Sequence, residues 1–312
     1  MSHPSGAVVA CDVGGTGIKA GLVDTKGRIE HARTVPTPVV PGDGDATAKA
    51  ILDQVAGLIS ELTAVEAPAG VGVIVPGLVD PDTGTAIYAE NLGWHDVRFV
   101  PRLTEATGLP VAFGHDVRTA GAAEYRFGAG RGYRDVAFVP IGTGISAALF
   151  LDARPYTSLW AGEIGHIDVG SGLPCPCGAR GCLETVASAA AIARRYTERS
   201  GQPVGGALDV ARRLALADWD ATAVWDEAVD ALALVLAMTA AVVAPELIVI
   251  GGGLSGAGDL LVKPLRQRVA NRVTTPQLQP EMVRAELGEQ AGLLGAALLA
   301  WEKVGVTMQG PD

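Results

Sequence analysis

Residues 163–184, EIGHIDVGSGLPCPCGARGCLE, constrain this chain more tightly than any other stretch. Three of the chain's four cysteines, Cys175, Cys177 and Cys182, fall within eight positions, and His166 precedes the first by nine. Thiolates and an imidazole are the donors that close a tetrahedral Zn²⁺ site. Gly170, Gly172, Gly178 and Gly181 let a short loop fold back so that four such donors converge. With His166 completing the set, no coordination position is left open, so the expected ion is structural rather than catalytic. Glu163 and Glu184 bracket the loop, either as solvated charges or as carboxylates held beside a rigid knuckle. Cysteines clustered in this way do not make a disulfide framework. Cys11, alone in an apolar run, reads as a buried core thiol.

A chain of 312 residues has room for two domains with substantial cores. Its net charge of −10 argues against a nucleic-acid surface, which needs a basic footprint, and leaves small anionic substrates open. The start, MSHPSGAVVACDVGG, lacks the basic region and sustained apolar core of a signal peptide. The most apolar window, residues 231–244, is shorter than the roughly 20 residues of a membrane span, so a buried helix is expected there. A cytoplasmic protein with no membrane partner follows as the expectation.

Residues 7–13 are an apolar, β-branched run ending at Asp12 and the turn Gly14-Gly15-Thr16-Gly17. Residues 18–24 alternate, Thr25-Lys26-Gly27 turns the chain again, and 28–36 reads as a third strand of a meander. A helix follows over 45–64, with Ile51, Leu52, Val55, Leu58, Ile59 and Leu62 on one face. Next come a strand over 70–75, an excursion through Asn91 and Trp94, a helix over 97–107 and a strand over 109–113 that ends at Gly114-His115-Asp116. The series then restarts. A helix over 117–127 precedes strands at 135–141 and 146–152 around Gly142-Thr143-Gly144. After the cysteine loop come helices from 185 and 206 and a long helix over 221–244. A strand over 246–250 runs into Gly251-Gly252-Gly253, followed by a helix from 259 and a final amphipathic helix over 289–303. Two βββαβα-like halves predict an α/β chain with an internal duplication. Residues 1–116, joined by the C-terminal segment 289–312, would form a small α/β domain, and 117–288 a larger one carrying the cysteine loop.

Gly15-Thr-Gly17-Ile-Lys-Ala20 fits the relaxed G-x-G-x-x-A dinucleotide pattern in letters. That pattern requires a helix next, and residues 18–24 alternate as a strand instead. What remains is a hairpin turn, Asp12-Val-Gly-Gly-Thr-Gly-Ile-Lys19, whose unhindered N–H groups and Thr16 hydroxyl can bend around phosphate oxygens. Gly142-Thr143-Gly144 is a shorter version. Either turn alone is as readily a plain glycine hairpin. Together, and with Gly251-Gly252-Gly253 before a helix, they predict a clamp on a nucleoside triphosphate. Asp116 ends a strand where carboxylates face ligands in α/β folds, and it is equally placed to cap the next helix. Asn91 could hydrogen-bond a polyhydroxyl ligand or merely close an Asx turn.

Asp12-Val-Gly-Gly-Thr-Gly-Ile-Lys19, Glu163-Ile-Gly-His166 and Cys175-Pro-Cys-Gly-Ala-Arg-Gly-Cys-Leu-Glu184 together resemble the ROK family (repressors, open reading frames, kinases), most of all its actinobacterial glucokinases. The resemblance runs from Ala7 to the last helix, and its C-x-C-G-x-x-G-C-x-E segment is the most specific part. It implies an actin-like ATPase fold, with two ribonuclease-H-like βββαβα domains around an interdomain cleft that closes over ATP and a hexose. It further implies a glucokinase in which Asp116 is the general base toward the 6-hydroxyl of glucose. Asn91, His115, Asp116, Glu163, His166, Glu184 and the backbone near Gly77 would hold the sugar. Asp12, Gly14, Gly15, Thr16, Gly17, Lys19, Thr143 and Gly144 would surround the phosphates and Mg²⁺, with Gly252 and Gly253 near the adenosine. His166, Cys175, Cys177 and Cys182 would bind structural Zn²⁺. One departure stands out: the family's usual Asn residues before and two after the catalytic Asp are His115 and Arg118 here. Mannose, fructose or N-acetylglucosamine are the alternative substrates. The family's sugar-sensing repressors carry a winged-helix segment ahead of the Asp-x-Gly-Gly-Thr turn. Only eleven residues precede Asp12, so a non-catalytic regulator is the remoter expectation. A homodimer or homotetramer is expected, without a nucleic-acid partner.

Overall fold

Strand β1 (Ala7–Val13) is buried at every position except Asp12, which is half-buried. It opens the computed structural model of the protein, which describes residues 6–273, 275–276 and 279–311. The first five residues, read above for a leader, lie outside that set. The chain divides into two compact units, Met1–Phe127 with Gln290–Asp312, and Gly128–Glu289.

In the first unit β1 pairs antiparallel with β2 (Gly17–Asp24), and β2 with β3 (Ile29–Pro36), so the meander is present. Helix α1 (Gly44–Val65) starts where the Asp43 carboxylate accepts the Ala46 N–H at 2.8 Å, an N-cap. The six apolar side chains expected on one face are all buried, each stabilising the unit by roughly 1.5–3 kcal/mol. Strand β4 (Val71–Val75) is wholly buried and parallel to β1.

The excursion that follows is a separate antiparallel sheet of β5 (Leu78–Asp80), β6 (Thr85–Ala89) and β7 (Trp94–Arg98). Its strands are only three to five residues long, too short for alternation to stand out, and Val97 belongs to β7 rather than to the helix expected over it. Helix α2 (Phe99–Thr107) stops at the left-handed Gly108, and β8 (Val111–His115) completes a sheet of order β3-β2-β1-β4-β8. Helix α3 (Asp116–Phe127) follows directly.

The second unit repeats this order. Strands β9 (Val136–Pro140), β10 (Ala148–Leu151) and β11 (Arg154–Pro155) form its meander. Helices α4 (Glu184–Ala187), α5 (Ala189–Ser200), α6 (Ala207–Ala215) and α7 (Trp219–Val243) lead to β12 (Leu247–Gly251), α8 (Asp259–Arg272) and β13 (Glu281–Arg284). The sheet order is β11-β10-β9-β12-β13, the same third-second-first-fourth-fifth arrangement. The duplication thus holds at the level of topology. Strand β13 gave no sequence signal, because only Met282 of its four residues is buried at this sheet edge.

The apolar window lies in α7 as far as Val243, with Ala244 as its left-handed C-cap, and the helix buries twelve side chains. Among the described residues no helix is long and apolar enough to cross a membrane. Helix α8 carries an internal proline, Pro264, which has no N–H to offer the Leu260 carbonyl one turn back. Trp225 of α7 fills that vacancy, its Nε1–H donating to the Leu260 oxygen at 3.1 Å.

Helix α9 (Ala291–Lys303) returns to the first unit, where it packs on β1, β4, β8 and α3. It is buried at ten of 13 positions rather than along one stripe.

Candidate functional site

Three parallel strands of the first unit run out at one sheet edge. Asp12 is in register with Ile74, Ile74 with Gly114, and Val75 with His115. Asp12, the residues after Val75 and the His115-Asp116 pair therefore emerge side by side at carboxyl ends of strands, where α/β folds bind ligands. The turn beyond Asp12 is a true hairpin into β2, with Lys19 facing Asp12 and the Gly14 N–H donating to the Gly17 carbonyl at 2.9 Å. Thr37 braces it from beneath: its hydroxyl donates to the Gly14 carbonyl at 2.6 Å and its N–H to the Thr16 carbonyl at 3.2 Å. Nothing in the sequence singled out Thr37. Thr16 itself is exposed at the tip. Burial pushes the Asp12 carboxyl up to about 6, against the opposing pull of the Lys19 ammonium.

Asn91 sits in the turn between β6 and β7 and reaches the same hairpin, its Nδ2 lying 2.7 Å from where a Cβ on Gly15 would be. Gly77 follows β4 at φ 90°, and a Cβ there would stand 2.1 Å from the Tyr88 carbonyl oxygen, so the close β5–β6 approach by itself requires glycine.

Asp116 opens α3, and its Oδ1 accepts the Val117 N–H at 2.6 Å. His115 Nδ1 lies 3.3 Å from that oxygen and accepts the Arg118 N–H at 3.3 Å. Burial, helped by the Arg118 charge, pulls the imidazole down to about 3. A neutral ring accepting at Nδ1 carries its proton on Nε2, so the His115–Asp116 approach is not an ion pair.

In the second unit the two remaining glycine segments meet, because β9 and β12 are parallel neighbours with Pro140 opposite Gly251. The Ile141 N–H donates to the Gly251 carbonyl at 3.0 Å, and the Leu254 N–H returns to the Ile141 carbonyl at 3.0 Å. The turn Gly142–Gly144 is closed by the Gly142 N–H on the Gly144 carbonyl at 3.0 Å. Thr143, Gly144, Gly252 and Gly253 are all exposed.

The cysteine loop converges as expected. All four of its glycines adopt positive φ, between 65° and 88°. The donor atoms of His166, Cys175, Cys177 and Cys182 all lie within 4.8 Å of one another. Zn–S bonds of about 2.3 Å at the tetrahedral angle would set two sulfurs about 3.8 Å apart. Cys177 Sγ and Cys182 Sγ are 3.7 Å apart, and Cys175 Sγ and His166 Nδ1 3.8 Å. Burial pushes the Cys175 thiol up to about 12 and raises Cys182, whereas the Ala179 N–H holds Cys177 below its ordinary value. A divalent cation is the charge that would keep all three as thiolates. The residues present therefore fit Zn²⁺.

Glu184, at the start of α4, joins this cluster to the Gly142–Gly144 turn. Its Oε1 lies 3.7 Å from both Cys175 Sγ and His166 Nδ1. Its Oε2 would be 3.2 Å from a Cβ on Gly144 and 3.3 Å from one on Gly165. Glu163 is exposed just before the 3-10 turn Ile164–His166, its carbonyl accepting the His166 N–H at 3.1 Å. The structure thus gathers Asp12, Gly14, Gly15, Thr16, Gly17, Lys19, Asn91, His115 and Asp116 in one unit, and Thr143, Gly144, Glu163, His166, Glu184 and the cysteines in the other.

The sequence profile of the ROK family matches residues 8–303. The chain belongs to the ROK family. Its two sheets of like order are the actin-like ATPase fold. A ROK-family glucokinase from Streptomyces griseus, solved in complex with glucose and AMPPNP, superposes with a TM-score of 0.84 at 30% identity, over 95% of this chain and 100% of that one. The glucokinase of Streptomyces coelicolor is 32% identical over 324 residues, 95% of this chain and 98% of the relative. The N-acetylmannosamine kinase of Citrobacter koseri is 31% identical over 299 residues, 94% and 98% of the two chains. Identities so close do not separate one sugar from another.

Proposed function

We propose that this ROK protein is an ATP-dependent hexokinase of the glucokinase type, which transfers the γ-phosphoryl group of ATP to the 6-hydroxyl of glucose. One observation carries the proposal: the register that brings Asp12, with its glycine turn, and Asp116 to the carboxyl ends of the two parallel strands that flank β4. A phosphate site and a carboxylate base on one rigid edge are what phosphoryl transfer needs, since it depends on positioning and charge neutralisation. The glucose and AMPPNP held by the Streptomyces griseus relative favour this pair of substrates.

Backbone N–H groups of Gly14, Gly15 and Gly17, with the Thr16 hydroxyl and Lys19, would receive phosphate oxygens, as would Thr143 and Gly144. Gly252 and Gly253 would lie by the adenosine. The Asp12 carboxylate, a hard oxygen donor at the edge of the glycine turn, fits Mg²⁺. When bound, Mg²⁺ neutralises phosphate charge and Zn²⁺ cross-links the loop of His166, Cys175, Cys177 and Cys182. Asp116 would accept the proton of the attacking hydroxyl, a role worth about 10²–10⁴-fold in rate. Asn91, His115, Glu163, Glu184 and the backbone near Gly77 would hold the other hydroxyls. His166 would give Nδ1 to the metal and Nε2 to the sugar, its tautomer set by the first contact.

The test is ADP release by the purified protein with Mg²⁺–ATP and, separately, glucose, mannose, fructose, N-acetylglucosamine and N-acetylmannosamine. The highest kcat/KM is expected with glucose. A preference for another sugar would reassign the substrate, and no sugar-dependent ADP with any would overturn the kinase function.

A further inference from the structure

We propose that Gly292, the second residue of α9, is a positioning residue for Asp12: the bare helix backbone at this position is the wall that holds the carboxylate at the edge of the glycine turn. A Cβ on Gly292 would lie 2.2 Å from Asp12 Oδ2, 2.8 Å from its Cγ and 3.5 Å from its Cβ. The first two separations are far inside van der Waals contact, so any side chain here must move one partner.

The helix is not the partner that can move. One turn on, a Cβ at Gly295 would stand 2.4 Å from the Thr119 carbonyl oxygen of α3. Beneath it, a Cβ at Gly72 of β4 would stand 1.8 Å from the Ala296 carbonyl oxygen. Backbone thus meets backbone on two sides of α9, and well-packed interiors yield little. The Asp12 side chain is the flexible member of the contact. A methyl at 292 would therefore be absorbed by rotation of Asp12 away from the turn.

This role rests on the kinase function proposed above, and it is tested by binding rather than turnover. Calorimetry would measure the Kd of Mg²⁺–AMPPNP and of glucose for the wild type, Gly292→Ala and Gly295→Ala. Gly292→Ala is expected to bind Mg²⁺–AMPPNP roughly 10–100-fold more weakly, the loss typical when a supporting contact of a metal site is removed, with glucose affinity unchanged. Gly295→Ala presses on Thr119 instead, so it is expected to lower Tm and keep the nucleotide affinity.

Wild-type affinity in Gly292→Ala, or an equal loss in Gly295→Ala, would overturn the inference. A wild type that binds no Mg²⁺–AMPPNP would instead overturn the kinase function. If Gly292→Ala does not fold, the double variant Asp12→Ala/Gly292→Ala decides, because the nearest atom the methyl then meets is the Asp12 Cβ, 3.5 Å away. It is expected to fold with the Tm of Asp12→Ala, and a double variant that also fails to fold would count against the contact.

Discussion

The side-chain amide of Asn91 lies over Gly15, with Nδ2 only 2.7 Å from the place a Cβ would occupy. A residue assigned to the sugar and one assigned to the phosphates therefore touch within a single unit. The β6–β7 hairpin is laid on the β1–β2 hairpin, and a side chain at position 15 would have to displace the Asn91 amide.

Gly15→Ala should separate function from stability. The obstructing atom is the end of a flexible side chain, so thermal unfolding is expected to move by no more than the equivalent of about 0.5 kcal/mol. The methyl would nonetheless stand where phosphate oxygens approach, and kcat/KM for ATP is expected to fall by about 10²-fold, as for a misplacement near 1 Å. Unaltered ATP kinetics would remove the turn from the phosphate site.

Asp116→Asn keeps the shape of the side chain and an oxygen for the Val117 N–H. Its Tm should match the wild type while kcat falls by about 10²–10⁴-fold. Turnover close to wild type in a folded variant would mean that another group takes the proton.

Burial holds the Asp12 carboxyl at about 6 in the folded protein, above its ordinary 3.8. The folded chain then binds this proton more tightly than the unfolded one, so the group favours folding most below pH 3.8 and loses that contribution as pH rises through about 6. Asp12→Asn has no charge to desolvate. It should be more stable than wild type at pH 8, by on the order of 1–3 kcal/mol, with the gain disappearing near pH 4. Denaturation at the two pH values checks the sign, and a variant less stable than wild type at pH 8 would contradict it.

His115 is held neutral, at about 3, by burial and the Arg118 charge. His115→Asn should change sugar KM but leave the shape of the pH–rate profile between pH 5.5 and 8 unaltered. A limb of that profile lost in the variant would show that the imidazole titrates in the working range.

Cys175→Ser removes a buried donor from the four-residue cluster. Metal analysis should show loss of zinc, and glucose affinity should fall by roughly 10–100-fold, because His166 and Glu184 lose their common support. Nucleotide binding should survive in part. Unchanged hexose affinity in a metal-free variant would make the cluster a staple and nothing more.

Sequence alone carried what is decided over a few neighbouring residues. The apolar run of β1, the one-sided face of α1 and the four loop glycines at positive φ are local events, and each lies where its letters put it. The strands β5–β7 and the edge strand β13 left too short or too exposed a pattern to be seen. Thr37 under Gly14, Asn91 over Gly15 and Gly292 against Asp12 are contacts between residues remote in the chain, and no spacing rule encodes them. The sequence therefore determined the donors, the glycine turns and the repeated order of elements, because propensity, hydrophobic period and metal-ligand chemistry act locally. Only the tertiary structure decided which of those groups share a strand edge and what holds them there, because strand pairing and helix packing are settled by burial across the whole unit.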